Sequence, residues 1–129
     1  MPKKTLPRPT DAELEILKVL WRRGPSTVRE VFETLGETKG TGYTTVLKLM
    51  QIMAAKGLVR RDEGERAHRY EAALAEEETQ RRLVGELLQK AFDGSAKKLV
   101  LQALSSRRAT ADELAEIRRM LDELEGGKR

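Results

Sequence analysis

Residues Thr41 to Gly57 read TGYTTVLKLMQIMAAKG, and this stretch predicts the helix around which the rest of the chain is organised. Its larger apolar residues recur at helical positions i, i+3, i+4 and i+7 and so form one stripe: Val46, Leu49, Met50 and Met53. Small or polar residues occupy the opposite face: Thr44, Lys48, Gln51 and Ala55. No Asp or Glu occurs from Lys39 to Arg61, whereas a solvent-exposed helix usually carries both signs of charge. The outer face therefore lacks the charge that phosphate groups would repel.

A short basic hairpin is predicted directly after this helix. Gly57 fits a helix C-terminal stop, and Leu58 to Asp62 reads as a strand. Glu63 to Glu65 then reads as a turn, and Arg66 to Glu71 as the returning strand. Two helices, a third helix and a hairpin, in that order, are typical of a winged helix-turn-helix. We therefore predict a mainly α fold with a small β-hairpin wing, whose third helix lies in a DNA major groove while the wing contacts the backbone beside it.

Two helices are predicted before this stretch. Thr10 and Glu13 have capping-box spacing, and they open a helix that ends near Arg23. The spacing of its apolar residues predicts that three of them face the core: Leu14, Leu17 and Trp21. Trp21 could also be a ligand-stacking residue, but its helical spacing favours packing in the core.

The second helix is predicted from a capping box at Thr27 and Glu30. Four apolar residues should face inward: Val28, Val31, Phe32 and Leu35. The preceding Ser26 and Thr27 could form an extended link that pairs with the wing. Gly36 to Gly42 is predicted to be the turn into the third helix.

Three amphipathic helices are predicted after the wing, so we divide the chain into a winged-helix DNA-binding domain, residues 1–73, and a helical dimerisation domain, residues 74–129. Without a sheet, such short helices cannot easily bury their apolar stripes on one another. Pairing with the same segment of a second chain is the favoured interpretation, and packing back onto the N-terminal domain as a monomer is the alternative. The predicted dimer contacts are Leu83, Leu87, Leu88, Leu99, Leu114, Ile117, Leu121 and Leu124.

Composition excludes several classes of protein. The 129 residues include no cysteine and one histidine, so disulfides, thiolate metal sites and multi-histidine metal sites are excluded, and we predict no cofactor. No apolar run approaches the roughly 20 residues needed to span a bilayer, so we expect a soluble, cytoplasmic protein without membrane insertion. The net charge of +4 lies in residues 1–72, which contain 14 Lys or Arg and 10 Asp or Glu, whereas residues 73–129 contain 11 of each. This asymmetry is what an electrostatic footprint on DNA requires.

Catalysis is not predicted. His68 has no neighbouring Ser, Asp or Cys, and residues 36–42 lack a Walker-type ending. We predict DNA contacts instead, from Tyr43, Thr44, Thr45 and Lys48 on the helix and from Arg60, Arg61, Arg66, His68 and Arg69 in the wing. Lys48 would reach either a guanine edge or a phosphate. The alternative function is an architectural or protein-interaction module without a specific operator.

Several blocks of the sequence resemble the penicillinase-repressor family (BlaI/MecI), which also includes copper-responsive repressors. These blocks are TDAELEILKVLW at residues 10–21, STVREV at 26–31, YTTV at 43–46, KGLV at 56–59 and the hairpin at 66–70. The resemblance implies a homodimeric repressor on a palindromic operator, controlling genes that often include resistance determinants and a membrane sensor-protease. It also implies base contacts from Thr44, Thr45 and Lys48.

The chain departs from the family pattern at two points. It lacks the cysteine-rich tail of the copper-responsive branch, which argues against direct copper sensing. In the β-lactam branch the repressor is cleaved between an Asn and a Phe, and the corresponding residues here are Gln102 and Ala103. This departure argues against induction by that same cleavage.

Overall fold

The structure is a computed structural model that describes residues 7–39, 41–62, 64 and 68–126. For residues 36–39 it describes the backbone only. Six helices and one hairpin follow each other along the described chain. They are α1 (Asp11–Arg23), α2 (Val28–Lys39), α3 (Tyr43–Lys56), β1 (Val59–Asp62), β2 (Arg69–Ala72), α4 (Glu76–Phe92), α5 (Ala96–Ser106) and α6 (Ala111–Gly126). This order confirms the predicted mainly α fold with a β-hairpin wing.

The helix starts follow the predicted capping pattern. The Thr10 hydroxyl accepts a hydrogen bond from the Glu13 N–H at 3.1 Å, and the Glu13 carboxylate accepts from the Thr10 N–H at 2.9 Å. Thr27 and Glu30 make the same reciprocal pair at 3.1 and 3.0 Å. Each pair satisfies N–H groups that the first helical turn leaves without a partner, so the sequence itself sets where α1 and α2 begin.

The core lies where α1, α2 and α3 meet the hairpin. The predicted α3 stripe is confirmed, because Val46, Met50 and Met53 are buried and Leu49 packs against them. Trp21 also packs against this core, and its indole N–H donates to the Leu74 carbonyl at 2.9 Å. The core interpretation of Trp21 is therefore confirmed.

The turn predicted at residues 36–42 is wrong, because α2 continues to Lys39. A glycine inside a helix costs only about 1 kcal/mol, and a helix that has already formed extends cooperatively. Leu35, one residue before Gly36, packs against the core and stabilises this last part of α2. The connection between α2 and α3 is consequently short, residues 40–42.

The helix α3 ends at Gly57, as predicted. Gly57 has a φ of 88°, in the left-handed region that a residue without a Cβ adopts readily. The N–H of Leu58 donates back to the Met53 carbonyl at 2.9 Å. Because Leu58 belongs to this cap, β1 begins at Val59 rather than at Leu58.

The wing is an antiparallel pair that a third segment extends. In its register, Val59 lies opposite Ala72 and Arg61 opposite Tyr70. Ser26 pairs with Tyr70 through two backbone hydrogen bonds of 2.9 and 2.8 Å. The predicted pairing of the α1–α2 link with the wing is therefore confirmed, and it fixes the hairpin to the helices.

Two compact units make up the chain, Met1–Leu83 and Val84–Arg129, and their division falls within α4. The domain boundary predicted between residues 73 and 74 stays a prediction. Within the second unit, neither α5 nor α6 has a buried residue. Among the described residues, no helix has both the length and the apolar character needed to cross a membrane.

Candidate nucleic-acid interface

The outward face of α3 is exposed and mainly polar, with Ile52 as an exposed apolar residue. Thr44, Thr45, Lys48 and Gln51 are exposed, and Tyr43 is 39% exposed at the start of the helix. No acidic residue lies in the first turn. The residue before the helix is Gly42, which has no side chain to accept from the first N–H groups. This end of α3 is therefore electrostatically suited to an anion.

The register of the wing separates its two neighbouring arginines. Arg61 lies opposite Tyr70, and Arg60 lies opposite Glu71. Successive side chains of a strand point to opposite faces. Arg61 therefore shares the face of buried Tyr70, and Arg60 lies on the other face. The guanidinium of Arg60 lies 3.5 Å from the Glu71 carboxylate, and both side chains are at least half exposed. Such a surface pair is weak and exchanges readily for another anion.

Arg69 is bound to α2 through a carboxylate. Its guanidinium lies 3.3 Å from Glu30, whose other oxygen lies 3.7 Å from Arg23. The Thr27 N–H, followed by the two arginines, holds the pKa of Glu30 below its usual value although partial burial opposes this. Arg69 thus anchors the wing to α2, and its predicted DNA contact stays a prediction. Arg66 lies outside the described residues.

A groove of about 440 Å³ joins α3 to the wing, and we call it the wing groove. Its lining residues are Thr27, Val28, Arg29, Tyr43, Leu47, Gln51, Arg61, His68 and Tyr70. None of them is acidic. The structure therefore brings two predicted wing residues, Arg61 and His68, to the same groove as Tyr43 of α3.

Two residues of this surface were not among the predicted contacts. Gln51 follows Lys48 on the outer face of α3, so its helical spacing alone was a sufficient signal. Arg29 lies in the first turn of α2, with its guanidinium carbon 5.3 Å from the centre of the Tyr43 ring. Tyr43 in turn meets Phe32 edge to face, with centroids 5.8 Å apart. No pattern in the sequence connects Arg29 with Tyr43.

A buried ion pair fixes α3 against α1. The carboxylate of Glu13, 2% exposed, accepts from the Lys56 ammonium at 2.8 and 3.1 Å. Burial by itself raises the pKa of Glu13, but hydrogen bonds from Lys56 and the Thr10 N–H outweigh it and leave the pKa below its usual value. Because Lys56 is in the last turn of α3, it also interacts favourably with the negative end of the helix.

The predicted dimer contacts lie on the helices that follow the wing. Leu87, Leu121 and Leu124 are at least half exposed. The other five are partly buried: Leu83, Leu88, Leu99, Leu114 and Ile117. Val100, Leu101 and Met120 add further exposed apolar surface on α5 and α6. Among the described residues, no group of three His, Asp or Glu side chains could hold a metal ion.

Three helices and a hairpin, with the α1–α2 link paired to the hairpin, define a winged-helix domain with a carboxylate-free third helix. Comparison with known proteins places the chain more narrowly. Residues 9–123 match the penicillinase repressor family. The chain therefore belongs to this family of transcriptional regulators.

Relatives in several bacteria cover nearly the whole chain. The transcriptional regulator BlaI of Mycobacterium tuberculosis is 37% identical over 123 residues, which are 95% of this chain and 88% of the relative. The penicillinase repressor of Bacillus licheniformis is 24% identical over 126 residues, 98% of each chain.

Two solved structures of BlaI are similar to part of the chain. One is the solution structure of its DNA-binding domain, and the other is the Bacillus licheniformis monomeric form in complex with the blaP half-operator. Each has a TM-score of 0.51 and 27% identity, and covers 57% of this chain and 90% of its own.

Proposed function

We propose that the protein is a sequence-specific DNA-binding transcriptional repressor that acts as a homodimer on a palindromic operator. The observation that carries this proposal is the continuous surface formed by α3 and the wing groove. The exposed face of α3 and the groove lining contain cations, neutral polar groups and some apolar side chains but no carboxylate. Phosphate neutralisation supplies a large part of the affinity of proteins for DNA.

In the proposed complex, α3 lies in the major groove. Thr44 and Thr45 contact bases through their hydroxyl and methyl groups, and Lys48 contacts a guanine edge or a phosphate. All three are exposed on the outward face near the start of α3, which is the part of a recognition helix that meets base edges. The BlaI relative that was solved in complex with a half-operator supports the binding of operator DNA.

The homodimer is supported by the apolar surface of the second unit. Leu87 is 50% exposed, Leu121 55% and Leu124 67%. Burying a fully exposed side chain of this size is worth about 1.5–3 kcal/mol, so covering these partly exposed leucines in a dimer would contribute about 1–2 kcal/mol each. One recognition helix contacts only a few base pairs, and two linked copies would distinguish one site among the many in a genome.

Selection of bound duplexes from a random-sequence pool tests the proposal, followed by titration of the selected duplex and a scrambled duplex of equal composition. We expect a dissociation constant for the selected duplex at least 10³-fold below that for the scrambled duplex at physiological salt. Equal affinity for both would refute specific repression and favour the architectural alternative. Lys48→Ala should make the free energy of binding to the selected duplex less favourable by about 1–3 kcal/mol. Lys97→Ala, which replaces an exposed lysine of α5, is the control variant.

Dimerisation has its own test. Leu87→Asp places a charge on the exposed stripe of α4, and we expect a monomeric mass together with a loss of affinity for the selected duplex. Gln89→Asp introduces the same charge at an exposed position two residues along α4, outside the predicted dimer contacts, and should leave both mass and affinity unchanged. A monomeric Leu87→Asp protein with undiminished operator affinity would contradict the coupling of dimerisation to binding.

Control of resistance or stress genes together with a membrane sensor-protease is part of the same proposal, without cleavage at the site used in the β-lactam branch. Gln102 and Ala103, in place of the family's Asn and Phe, lie inside α5. Proteases prefer exposed loops to intact helices, so cleavage here would require α5 to unwind. We expect limited proteolysis of the dimer to leave the Gln102–Ala103 bond intact, and rapid cutting at this bond would contradict that expectation.

A further inference from the structure

We propose that the wing groove receives a segment of DNA backbone, and that Arg29, held on the ring of Tyr43, contacts a phosphate there. This inference rests on the proposed function and adds to it a contact from α2. Arg29 is the cation that α2 contributes to the described lining of the groove.

Tyr43 holds the guanidinium of Arg29 in a defined place. The distance of 5.3 Å from the guanidinium carbon to the ring centre is within the range of a cation–π interaction. The ring itself is fixed by its edge-to-face contact with Phe32 at 81°. A cation–π contact uses the charge of the guanidinium and does not consume its N–H groups, which match a phosphate in geometry.

The charge of Arg29 is available to a ligand. Among the described residues, no carboxylate forms an ion pair with Arg29, whereas Arg23 and Arg69 share Glu30, and Arg60 faces Glu71. A cation in the first turn of a helix also faces the positive end of the helix dipole, which is locally unfavourable. Its contact with Tyr43 offsets this cost, and a bound phosphate would neutralise the remaining charge.

The lining of the wing groove matches a sugar-phosphate chain. Arg29, Arg61 and His68 bring basic groups from three different segments, and Val28 and Leu47 add apolar side chains to the same lining. A nucleic-acid backbone likewise alternates charged phosphates with apolar sugar faces. Because α3 borders the groove, a backbone segment held here would lie beside the recognition helix and fix its depth in the major groove.

The salt dependence of binding distinguishes a phosphate contact from other roles. Each neutralised phosphate adds about 0.9 to the slope of log affinity against log salt. Arg29→Gln should therefore show a slope shallower by about 0.9 for each bound protomer on the selected duplex. Between 50 and 200 mM salt, the wild-type protein should lose about 3.5-fold more affinity per protomer than the variant. The ratio of affinities for the selected and scrambled duplexes should not change, because a phosphate carries no sequence information.

Two matched variants and two Tyr43 backgrounds complete the experiment. Arg29→Lys should restore the wild-type slope, since the charge remains. Arg22→Gln removes an exposed arginine of α1 outside the groove and should leave the slope unchanged. Arg29→Gln should also cost more affinity in a Tyr43→Phe protein, which keeps the ring, than in a Tyr43→Leu protein. Equal costs in the two backgrounds would overturn the role of the ring.

The failure of this inference differs from the failure of the proposed function. If the wild-type protein does not distinguish the selected duplex from the scrambled one, the proposed function fails. If it does distinguish them but Arg29→Gln keeps the wild-type slope, Arg29 contacts no phosphate and this inference fails while the proposed function stands. A loss of affinity confined to the selected duplex would indicate a base contact and would equally overturn the proposal. Unfolding in urea, followed through Trp21, verifies that each variant is folded.

Discussion

The ion pair between Glu13 and Lys56 allows a prediction whose magnitude follows from the structure. Replacing Lys56 by Met keeps most of the side-chain volume but removes the ammonium that lies 2.8 Å from the carboxylate. Glu13 then remains buried with a charge and with only the hydrogen bond from the Thr10 N–H at 2.9 Å. Removing one partner of a fully buried pair costs about 3–5 kcal/mol. Because Lys56 is 30% exposed, we expect a smaller loss of about 2–3 kcal/mol in the free energy of unfolding.

The pH dependence identifies the carboxylate as the cause. In the wild-type protein the pKa of Glu13 is lowered, so its ionised form stabilises the fold above the unfolded pKa of about 4.3 and this contribution is lost as the pH falls through the folded value. In Lys56→Met we expect the pKa of Glu13 to rise above the unfolded value, so protonation relieves the buried charge. The difference in unfolding free energy between the two proteins should therefore be largest at pH 7 and shrink toward pH 4.

Urea unfolding measured by Trp21 fluorescence is a suitable assay, because this tryptophan packs against the core that the ion pair adjoins. The matched variant is Glu13→Gln combined with Lys56→Met, in which no buried charge remains. We expect the double variant to be more stable than Lys56→Met alone at pH 7. A single variant as stable as the wild type, or a loss of equal size at pH 4 and pH 7, would refute the reasoning.

Two further predictions concern the wing and the outer face of α3. Ser26→Pro removes the N–H that donates to the Tyr70 carbonyl at 2.9 Å, so we expect a loss of about 2–3 kcal/mol in unfolding free energy. Ser26→Ala keeps this N–H and should lose less unfolding free energy. Equal losses would show that the strand pairing does not anchor the wing. Gln51→Ala should reduce the preference for one A·T pair of the selected duplex by about 1–3 kcal/mol, because glutamine can bind adenine with two hydrogen bonds. Gln80→Ala, at an exposed position of α4, is the control for Gln51→Ala. If Gln51→Ala keeps the wild-type base preference at every position of the duplex, Gln51 does not contact a base.

Much of the fold was predictable because its signals are local. The capping pairs at Thr10 and Thr27 involve residues three apart, and the α3 stripe depends only on helical spacing. The end of α2 was mispredicted for a related reason. A glycine weakens a helix locally, but packing of the neighbouring Leu35 on the core decides whether the helix continues. Tertiary packing therefore overrode the local signal at that point.

The same distinction between local signals and tertiary packing applies to the candidate site. The sequence by itself determined that residues 38–61 contain no acidic residue and that Thr44, Lys48 and Gln51 share one face of a helix. These properties follow from composition and from a fixed period of 3.6 residues, which need no knowledge of distant contacts.

Only the tertiary structure decided which cations remain available for a ligand. Arg69 belongs to an ion pair with Glu30, 39 residues away, and Arg29 meets the ring of Tyr43 from a different helix. The availability of a charge depends on what lies within a few ångströms, and residues far apart in sequence become such neighbours only when the chain folds. The sequence therefore determined the third helix and its carboxylate-free face, and the fold determined how the cations around it are held.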